Sequence, residues 1–515
     1  MTDPRSTPST LSSPVSRLSR RAALGLMLGG GASAAIAQGA PAVMRSPLPL
    51  PRPDGLHKLR YTSGAELVER ARLTGAVTYA VADDTGKILE ARGVDVALPP
   101  ASVAKAVTSI YALEHLGGDF VFTTKVRATG PVVDGKVQGD LILVGSGDPT
   151  LDSDALGALA GQLVALGITG ITGAFYVDGT ALPQIEIIDD QQTEFASYNP
   201  SISGLNLNYN RVYFEWKKEG DTFALKMDAR ARKFAPDVRI ASMSVVDRGL
   251  PVFDHEAGNA QDVWSVSRSA LGKGGARWLP VRLPRLYAGE VFVAVAKAQG
   301  VELPQALHIA KRAPDTAEHR IVAQYDSQDL TKIVKHMLKY STNLTAEILG
   351  LTASGARGLD PQDLYSSAQA MSGWAKERFG SDSLSFVDHS GLGGASSTTT
   401  TDMVRLLSAD GVEALLGPLL KTIVPRDDDY NAVKNPTFDI QAKTGTLDFV
   451  STLAGYVTAS DGSKMAFAAF AADLPRRAVA KANGEEVPRG AKTFNTRAKR
   501  LHHALIRRWA GVYGS

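Results

Sequence analysis

The chain has 515 residues, 44% hydrophobic and 21% charged, a globular composition with room for roughly two to four domains. Its formal charge of +3 resides in residues 1–37, so the remainder has no net positive charge to attract nucleic acid. Cysteine is absent, which excludes disulfides, a cysteine nucleophile and thiolate-bound metals.

Residues 1–37 have the pattern of an export signal. A basic stretch ending in Arg20 and Arg21 precedes an uncharged apolar run over 22–37 that ends in Ala-Ile-Ala. The paired arginines resemble a twin-arginine signal, with an ordinary Sec signal as the alternative. We predict a mature periplasmic protein that begins with a proline-rich linker over 38–54. No later run is long and apolar enough to span a bilayer, which leaves peripheral membrane association open.

The first predicted elements are a hairpin and a helix. Two β-like runs at 77–81 and 88–91 are separated by Asp-Asp-Thr-Gly, a typical turn sequence. After Pro99 and Pro100, apolar residues recur at helical spacing over 103–113. This spacing predicts a buried helix with a serine in its first turn.

Between residues 120 and 314 the pattern changes to short β-like runs separated by glycine and aspartate turns. It predicts a β-rich region with one helix near 156–166. The β-like runs lie at 136–144, 170–178, 206–215 and 223–227.

The C-terminal part again combines helices and strands. Helical periodicity predicts helices near 330–338 and 344–349. Strands at 450–457 and 465–472 flank a Ser-Asp-Gly-Ser turn, and an amphipathic helix follows near 496–509. Because sheet and helix material lies at both ends, the simplest organisation is one α/β domain that is built from both ends and carries a long insertion.

Ser102 and Lys105 form the only Ser-x-x-Lys in the chain. Positions three apart share one face of a helix, so the lysine amine can reach the serine hydroxyl. Serine becomes a nucleophile when a neighbour takes its proton, and lysine can do this once desolvation lowers its pKa. The alternative is a helix start with a surface lysine, because this spacing arises by chance about twice in such a chain.

Lys443, Thr444, Gly445 and Thr446 precede the C-terminal hairpin, so we expect them on a strand. A lysine and hydroxyls on a strand beside a cleft can hold a carboxylate. Glycine removes a side chain where a substrate must approach the backbone. A polar strand edge is the alternative interpretation.

Ser341 and Asn343 form a Ser-x-Asn motif between two predicted helices. Residues of these types usually cap helices, which is the ordinary explanation for them. A second Ser-x-Asn, at Ser197 and Asn199, precedes Pro200 within the β-rich insertion. We reject this second motif as a site because of that context.

The order of these motifs is more specific than any one of them. A hairpin, Ser-x-x-Lys opening a helix, Ser-x-Asn between helices and Lys-Thr-Gly before a second hairpin resemble the penicillin-recognising acyltransferases. Ser102 and Ser341 are 239 residues apart, much farther than a β-lactamase needs. With Gly-Asp-Leu at 139–141 and Asp-His-Ser-Gly-Leu at 388–392, the chain resembles the class C low-molecular-mass penicillin-binding proteins, which are D-alanyl-D-alanine carboxypeptidase/endopeptidases.

The resemblance implies an α+β catalytic domain of the penicillin-binding-protein/β-lactamase type, with a five-stranded antiparallel sheet and a helical lobe, over about 55–122 and 312–515. The insertion at 123–311 should hold β-rich domains, one nested in the other near 151–225. The implied substrates are peptidoglycan stem peptides ending in D-Ala-D-Ala, or crosslinks between stems. β-Lactam antibiotics should acylate the same serine, and no metal or organic cofactor is implied.

The resemblance also implies a role for each residue of the first two motifs in the chain. Ser102 would attack the scissile carbonyl, with Lys105 as its base. Ser341 would relay a proton to the leaving amine, and Asn343 would hold the substrate backbone.

The Lys-Thr-Gly-Thr sequence at 443–446, here called the strand motif, has implied roles as well. Lys443 would keep the local field positive, while Thr444 and Thr446 would bind the terminal carboxylate. Gly445 would allow close approach of the substrate. The backbone N–H groups of Ser102 and Thr446 would form the oxyanion hole.

Two positions concern the recognition of the substrate side chain. In the family an acidic residue of the insertion contacts the amino group of a diaminopimelate side chain. The matching stretch makes Asp190 the candidate, with Phe195 beside it, and a turn aspartate is the alternative. Where an arginine is common in the family, this chain has Gly394. If that arginine meets a substrate carboxylate, the pocket here has lost a partner.

Two other functions are kept as alternatives. The same fold supports a β-lactamase or an esterase, which rapid β-lactam turnover would favour. A non-catalytic wall-binding module is the other, and peptide-bond cleavage would exclude it.

Overall fold

A computed structural model describes residues 61–258, 260–309, 319–485 and 488–514. The predicted signal peptide and linker lie outside these residues. Within the described part, no helix is both long and apolar enough to cross a membrane.

The described residues form helices at both ends of the chain and within the insertion. The helices are α1 (Gly64–Ala71), α2 (Ala104–Leu116), α3 (Ser153–Ala165), α4 (Pro284–Ala298), α5 (Leu330–Tyr340), α6 (Asn343–Ala356), α7 (Leu364–Phe379), α8 (Thr400–Leu407), α9 (Val412–Leu416), α10 (Leu474–Ala482) and α11 (Ala491–Tyr513).

The strands are mostly short, and those of the insertion follow one another with few helices between them. They are β1 (Ala76–Ala82), β2 (Ile88–Arg92), β3 (Thr123–Ala128), β4 (Val132–Val133), β5 (Lys136–Val137), β6 (Leu141–Val144), β7 (Gly170–Ile171), β8 (Phe175–Asp178), β9 (Arg211–Glu219), β10 (Thr222–Asp228), β11 (Ala241–Val246), β12 (Phe253–Ala257), β13 (Asp262–Ser267), β14 (Gly274–Pro280), β15 (Ala306–His308), β16 (Arg320–Asp326), β17 (Lys421–Thr422), β18 (Asp439–Leu447), β19 (Val450–Thr458) and β20 (Lys464–Ala472).

The main sheet joins the two ends of the chain, as predicted. Its order is β17-β18-β19-β20-β1-β2, and every neighbouring pair is antiparallel. β1 pairs with β20 from Ala76 opposite Ala472 to Ala82 opposite Ala466. The two-residue strand β17 makes this a six-stranded sheet, whereas five strands were predicted.

Both faces of the main sheet are covered, so its central strands are buried along their length. Successive side chains of a strand point to opposite faces, and each face has its own apolar core. On one face Tyr79 and Phe467 pack with Trp509 of α11. On the other face Ala80 and Ala468 join the core of the helical lobe.

Helix α2 lies at the centre of the helical lobe and packs against α6 and α5. Every residue from Ala104 to Leu113 is buried, including Lys105. A helix that is buried on all sides has no solvent-facing polar side, and its polar side chains Lys105, Thr108 and Ser109 are buried with the apolar ones. Lys105 is therefore enclosed within the helical lobe.

The insertion contains a five-stranded sheet of order β15-β8-β6-β3-β16, with α3 and α4 contributing to its core. β16 pairs with β3 from Arg320 opposite Ala128 to Asp326 opposite Thr123. The sheet of the insertion therefore continues to Asp326, beyond the predicted boundary at 311. Helix α4 was not predicted, because it is apolar on several sides and lacks a clear helical period.

The predicted nested range of 151–225 includes β9 and part of β10, which belong to a second group of strands in the insertion. Two three-stranded sheets, β10-β9-β14 and β11-β13-β12, occupy residues 211–280. Helix α3 at Ser153–Ala165 instead packs against α4 of the five-stranded sheet. β9 pairs both with its hairpin partner β10 and with the distant β14, and short alternating runs in a sequence do not specify such distant partners.

Candidate active site

Ser102 lies in a short 3-10 turn, Ala101–Val103, immediately before α2. Ala101 has a φ of 47°, in the left-handed region that is costly for a residue with a Cβ atom. The Pro100 carbonyl anchors this turn by accepting hydrogen bonds from Val103 N at 3.1 Å and Thr452 Oγ1 at 2.7 Å. The strained turn is thus held between α2 and the main sheet, with Ser102 facing the cleft.

Gly445 allows β18 to pass close to this turn. A Cβ atom at Gly445 would lie 2.1 Å from Thr452 Oγ1 and 2.7 Å from the Pro100 carbonyl oxygen. Both distances are shorter than van der Waals contact. The glycine of the strand motif therefore accommodates the turn that carries Ser102 as well as any substrate.

Lys105 joins the first two motifs. Its buried Nζ donates to Ser102 Oγ at 3.1 Å, to Asn343 Oδ1 at 2.7 Å and to the Ser390 carbonyl at 2.7 Å. These three acceptors match the three donors of an ammonium group. Burial lowers the pKa of Lys105 to about 8, although the negative charges of Glu347 and Asp388 act in the opposite direction. An amine with this pKa can exchange a proton with Ser102 near neutral pH.

Glu347 lies beneath the site on α6, and its carboxylate is buried. It accepts hydrogen bonds from the backbone N–H groups of His389 at 2.8 Å and Ser390 at 2.9 Å. Burial raises the pKa of Glu347 and the nearby charge of Asp388 adds to this effect, whereas the hydrogen bonds from His389 and Ser390 and the charge of Lys105 act in the opposite direction. The two bonds fix the position of Ser390, whose carbonyl oxygen accepts from Lys105.

Ser341 ends α5 with left-handed backbone angles, φ 60° and ψ 38°, and its N–H donates to the Met337 carbonyl at 2.7 Å. This cap turns the chain so that Ser341 Oγ accepts a hydrogen bond from Lys443 Nζ at 3.0 Å. Asn343 begins α6, and its Nδ2 donates to the Tyr198 carbonyl of the insertion at 2.8 Å. The Ser-x-Asn motif therefore contacts both other motifs and the insertion.

The strand motif alternates along β18 as a half-buried strand should. Lys443 and Gly445 are buried, whereas Thr444 and Thr446 are exposed. Lys443 Nζ also donates to the Thr444 carbonyl at 2.7 Å. Burial, with the positive charges of Lys105 and Lys421, holds the pKa of Lys443 well below its usual value. Lys443 and Ser341 thus form a second lysine–serine pair.

The three motifs meet at one cleft of about 790 Å³, which one residue of each motif borders and to which the insertion also contributes. Ser102, Asn343 and Thr446 line it from the catalytic domain, and Gln192 and Tyr198 line it from the insertion. A larger groove of about 1010 Å³ lies between α1 and α11 and is bordered by none of the motif residues.

Asp190 and Phe195 occupy different environments. Asp190 is exposed on the loop that brings its neighbours Gln191 and Gln192 to the cleft. Phe195 packs away from it, with its ring centroid 5.6 Å from that of Phe253 and its ring beneath the Arg277 guanidinium at 4.8 Å. Phe195 is partly buried against the core of the insertion, and its contact with the substrate stays a prediction.

The chain matches the D-Ala-D-Ala carboxypeptidase 3 (S13) family over residues 65–487, which is most of its length. The protein belongs to the S13 peptidase family. It is therefore a serine peptidase, and the prediction from the motif order is confirmed.

Curated relatives agree with this membership. The S13 peptidase is 28% identical over 427 residues to a D-alanyl-D-alanine carboxypeptidase of Actinomadura sp. strain R39, covering 77% of this chain and 78% of that protein. It is 24% identical over 394 residues to the D-alanyl-D-alanine carboxypeptidase DacB of Haemophilus influenzae, covering 72% of this chain and 79% of the relative.

A solved structure confirms the predicted fold. The crystal structure of penicillin binding protein 4 from Haemophilus influenzae aligns with a TM-score of 0.68 at 20% identity, covering 86% of this chain and 99% of the other. The S13 peptidase thus has the predicted penicillin-binding-protein fold with inserted domains.

Two features of the S13 peptidase site were missed by the sequence analysis. Glu347 follows Asn343 by four residues, so both lie on one face of α6. The signal in the sequence that could have indicated this residue was a single carboxylate among apolar neighbours. Tyr198 belongs to the rejected Ser-x-Asn at 197–199, and it reaches the cleft through its backbone carbonyl. A contact made by the main chain cannot be predicted from the identity of the residue.

Proposed function

We propose that this S13 peptidase is an exported D-Ala-D-Ala carboxypeptidase and endopeptidase that forms an acyl-enzyme on Ser102. One observation carries the proposal: Lys105 Nζ lies 3.1 Å from Ser102 Oγ, while Lys443 Nζ lies 3.0 Å from Ser341 Oγ. Two serines, each with a buried lysine of lowered pKa, can supply a nucleophile with its base and a separate proton relay.

Acylation begins when neutral Lys105 takes the proton of Ser102, whose Oγ attacks the carbonyl of the scissile D-Ala-D-Ala bond. With a pKa of about 8, roughly a tenth of Lys105 is neutral at pH 7. The backbone N–H groups of Ser102 and Thr446 stabilise the oxyanion, a contribution worth roughly 3–4 kcal/mol per donor elsewhere.

The leaving D-alanine amine receives its proton through Ser341, which Lys443 can reprotonate. Thr444 and Thr446 bind the terminal carboxylate of the substrate from the exposed face of β18. Asn343 holds the substrate backbone. Water then attacks the acyl-enzyme carbonyl and gives a proton to Lys443, replacing the one passed through Ser341 to the leaving amine. Lys105 returns its proton to the Ser102 oxygen as the acyl bond breaks.

We propose that β-lactams acylate Ser102 in the same way and leave slowly. The Haemophilus influenzae penicillin binding protein 4, which shares the fold, has been crystallised in complex with a β-lactam. On the peptide side, Asp190 is the candidate for the amino group of a diaminopimelate side chain, because its loop borders the cleft.

We also propose that residues 1–37 direct export to the periplasm through the twin-arginine route. Replacement of Arg20 and Arg21 by lysine should then block export of the full chain, whereas undiminished export would favour the Sec route.

The enzymatic proposal is tested by incubating the purified protein with a synthetic stem pentapeptide and with a crosslinked muropeptide dimer. Release of D-alanine from the first and of monomers from the second, both abolished by Ser102→Ala, is the expected result. Activity that persists in Ser102→Ala would overturn the assignment of the nucleophile. Rapid hydrolysis of penicillin without peptide cleavage would indicate a β-lactamase instead.

A further inference from the structure

The insertion is linked to the catalytic lysine by a main-chain contact that the proposed reaction does not use. The Tyr198 carbonyl accepts a hydrogen bond from Asn343 Nδ2 at 2.8 Å, and Asn343 Oδ1 accepts one from Lys105 Nζ at 2.7 Å. Tyr198 lies on residues 186–201, here called the cleft loop, which contain no helix or strand. Since such a loop is held only by its individual contacts, the groups that fix it also bear on Lys105.

The amide of Asn343 could present either of its ends to Lys105. Its oxygen and nitrogen have nearly the same shape, so the hydrogen-bond partners decide which of them faces the lysine. The Tyr198 carbonyl can only accept, which draws Nδ2 towards the insertion and turns Oδ1 towards Lys105. A reversed amide would point its N–H groups at the ammonium. The insertion therefore selects the orientation in which Asn343 accepts from Lys105.

Arg282 fixes the cleft loop from within the insertion. It lies between β14 and α4 and is only 7% exposed. Its Nη1 donates to the carbonyls of Glu186 at 3.1 Å and Asn199 at 2.9 Å, and its Nη2 donates to the Glu194 carbonyl at 2.8 Å. One guanidinium thus ties the loop at three points, one of which directly follows Tyr198.

Asn199 extends this anchor to the Tyr198 carbonyl. Its side chain is fully buried, with Oδ1 accepting from the N–H groups of Ile188 and Asp189 at 3.0 Å each and Nδ2 donating to the Asp189 carbonyl at 2.8 Å. The Asn199 N–H donates to the Ala196 carbonyl at 2.9 Å. Because this N–H and the Tyr198 carbonyl belong to one planar peptide group, the bonds that hold Asn199 also set the direction of that carbonyl.

We propose that Arg282 is a positioning residue of the catalytic centre and acts through Asn343. By holding the cleft loop, it keeps the Tyr198 carbonyl where it orients the Asn343 amide towards Lys105. Arginine suits this task because its donors lie in one rigid plane and can meet several carbonyls at once. The inference rests on the proposed function, since it assigns a task in the same acylation. It predicts that the insertion affects acylation even by a donor that touches none of its residues.

The test is the rate at which a fluorescent penicillin acylates Ser102 between pH 6 and 9.5, measured per molecule of folded protein. Arg282→Gln loses the guanidinium plane, so the Tyr198 carbonyl is no longer held against Asn343. The plateau rate above pH 8 should fall by about three- to tenfold, which corresponds to the loss of one neutral hydrogen bond. An unchanged plateau would overturn the positioning role.

The pH dependence separates this role from a general loss of stability. Asn343 Oδ1 stabilises the charged form of Lys105, so its loss should lower the pKa of Lys105 and move the midpoint of the rise to lower pH. The other charged groups that act on Lys105 are the same in the variant, namely Glu347, Asp388 and Lys443. A merely less stable protein would keep the wild-type midpoint, and that result would contradict the inference.

A double-mutant cycle shows whether Arg282 acts through Asn343. In the Asn343→Ala background there is no amide to orient, so Arg282→Gln should change the rate by less than about twofold. An equal loss in both backgrounds would overturn the positioning role. Arg282→Lys keeps the charge without the guanidinium plane and should retain part of the wild-type rate, and the same cycle can be run with it if Arg282→Gln does not fold.

Arg248→Gln is the matched control. Arg248 also donates to two backbone carbonyls of the insertion, those of Pro251 at 2.7 Å and Ser265 at 2.9 Å, and neither acceptor lines the cleft. This variant should keep the wild-type rate and midpoint. If Arg282→Gln and Arg248→Gln behave alike, the inference is wrong.

Acylation of the wild-type protein separates failure of this inference from failure of the proposed function. If the wild type is acylated and Arg282→Gln has the same rate and midpoint, only the positioning role is wrong. If the wild type is not acylated at Ser102, the proposed function fails and the positioning role fails with it.

Discussion

The pKa of Lys105 predicts how acylation should depend on pH. The ordinary value is 10.5, and burial lowers it to about 8. At pH 7 this raises the neutral fraction from roughly 0.03% to about 10%, a gain of about 300-fold in the concentration of usable base. Acylation of Ser102 by penicillin should therefore rise about tenfold per pH unit below pH 8 and level off above it.

The assay is the second-order rate of acylation by a fluorescent penicillin between pH 6 and 9.5, with thermal unfolding measured in parallel. Lys105→Arg places a cation in the same position that does not lose its proton in this range. It should lower the rate by at least about 100-fold and abolish the rise with pH. A wild-type rate that is independent of pH, or a pH dependence that survives in Lys105→Arg, would refute the assignment of Lys105 as the base.

Glu347 offers a second perturbation of the same profile. Its negative charge raises the pKa of Lys105, so Glu347→Gln should shift the rise in acylation rate to lower pH. The substitution also places an amide NH₂ against one of two backbone N–H groups that now donate to the carboxylate. One buried backbone N–H is then left without an acceptor, so the free energy of unfolding should fall by about 1–3 kcal/mol, measurable by urea denaturation. A shift to higher pH would contradict this electrostatic role.

Three further substitutions test other parts of the site. Gly445→Ala should slow penicillin acylation by about 100-fold, because its Cβ atom would displace the Pro100 carbonyl. Gly373→Ala is the control: a Cβ atom there meets open space, so acylation should keep the wild-type rate. Equal rates in the two variants would contradict the packing argument. Ser341→Ala should lower peptide hydrolysis by about 100-fold or more, and an unchanged rate would exclude Ser341 as the relay. Asp190→Ala should reduce cleavage of diaminopimelate peptides by roughly 10- to 150-fold while penicillin acylation stays within a few-fold, and equal losses would indicate a structural role.

The catalytic core could be predicted from the sequence because its signals are local. Serine and lysine three residues apart share a face of a helix whatever the rest of the fold does. The strand motif likewise places Lys443 on the buried face and Thr444 on the exposed face by strand geometry alone. The order of the motifs then identified the family, and with it the sheet built from both ends.

The insertion was predicted less well because its structure depends on distant pairings. The pairing of β3 with β16 joins segments almost 200 residues apart, and no local pattern specifies it. Phe195 was assigned by its position five residues after Asp190, and its contact with the substrate stays a prediction. Its aromatic contact with Phe253 is set by the folding of the nested sheets.

Mass spectrometry of the purified protein after incubation with penicillin tests the central claim most directly. A single adduct of penicillin mass on the peptide that contains Ser102, absent from Ser102→Ala, is the predicted result. An adduct that persists in Ser102→Ala would contradict the assignment of Ser102 as the nucleophile.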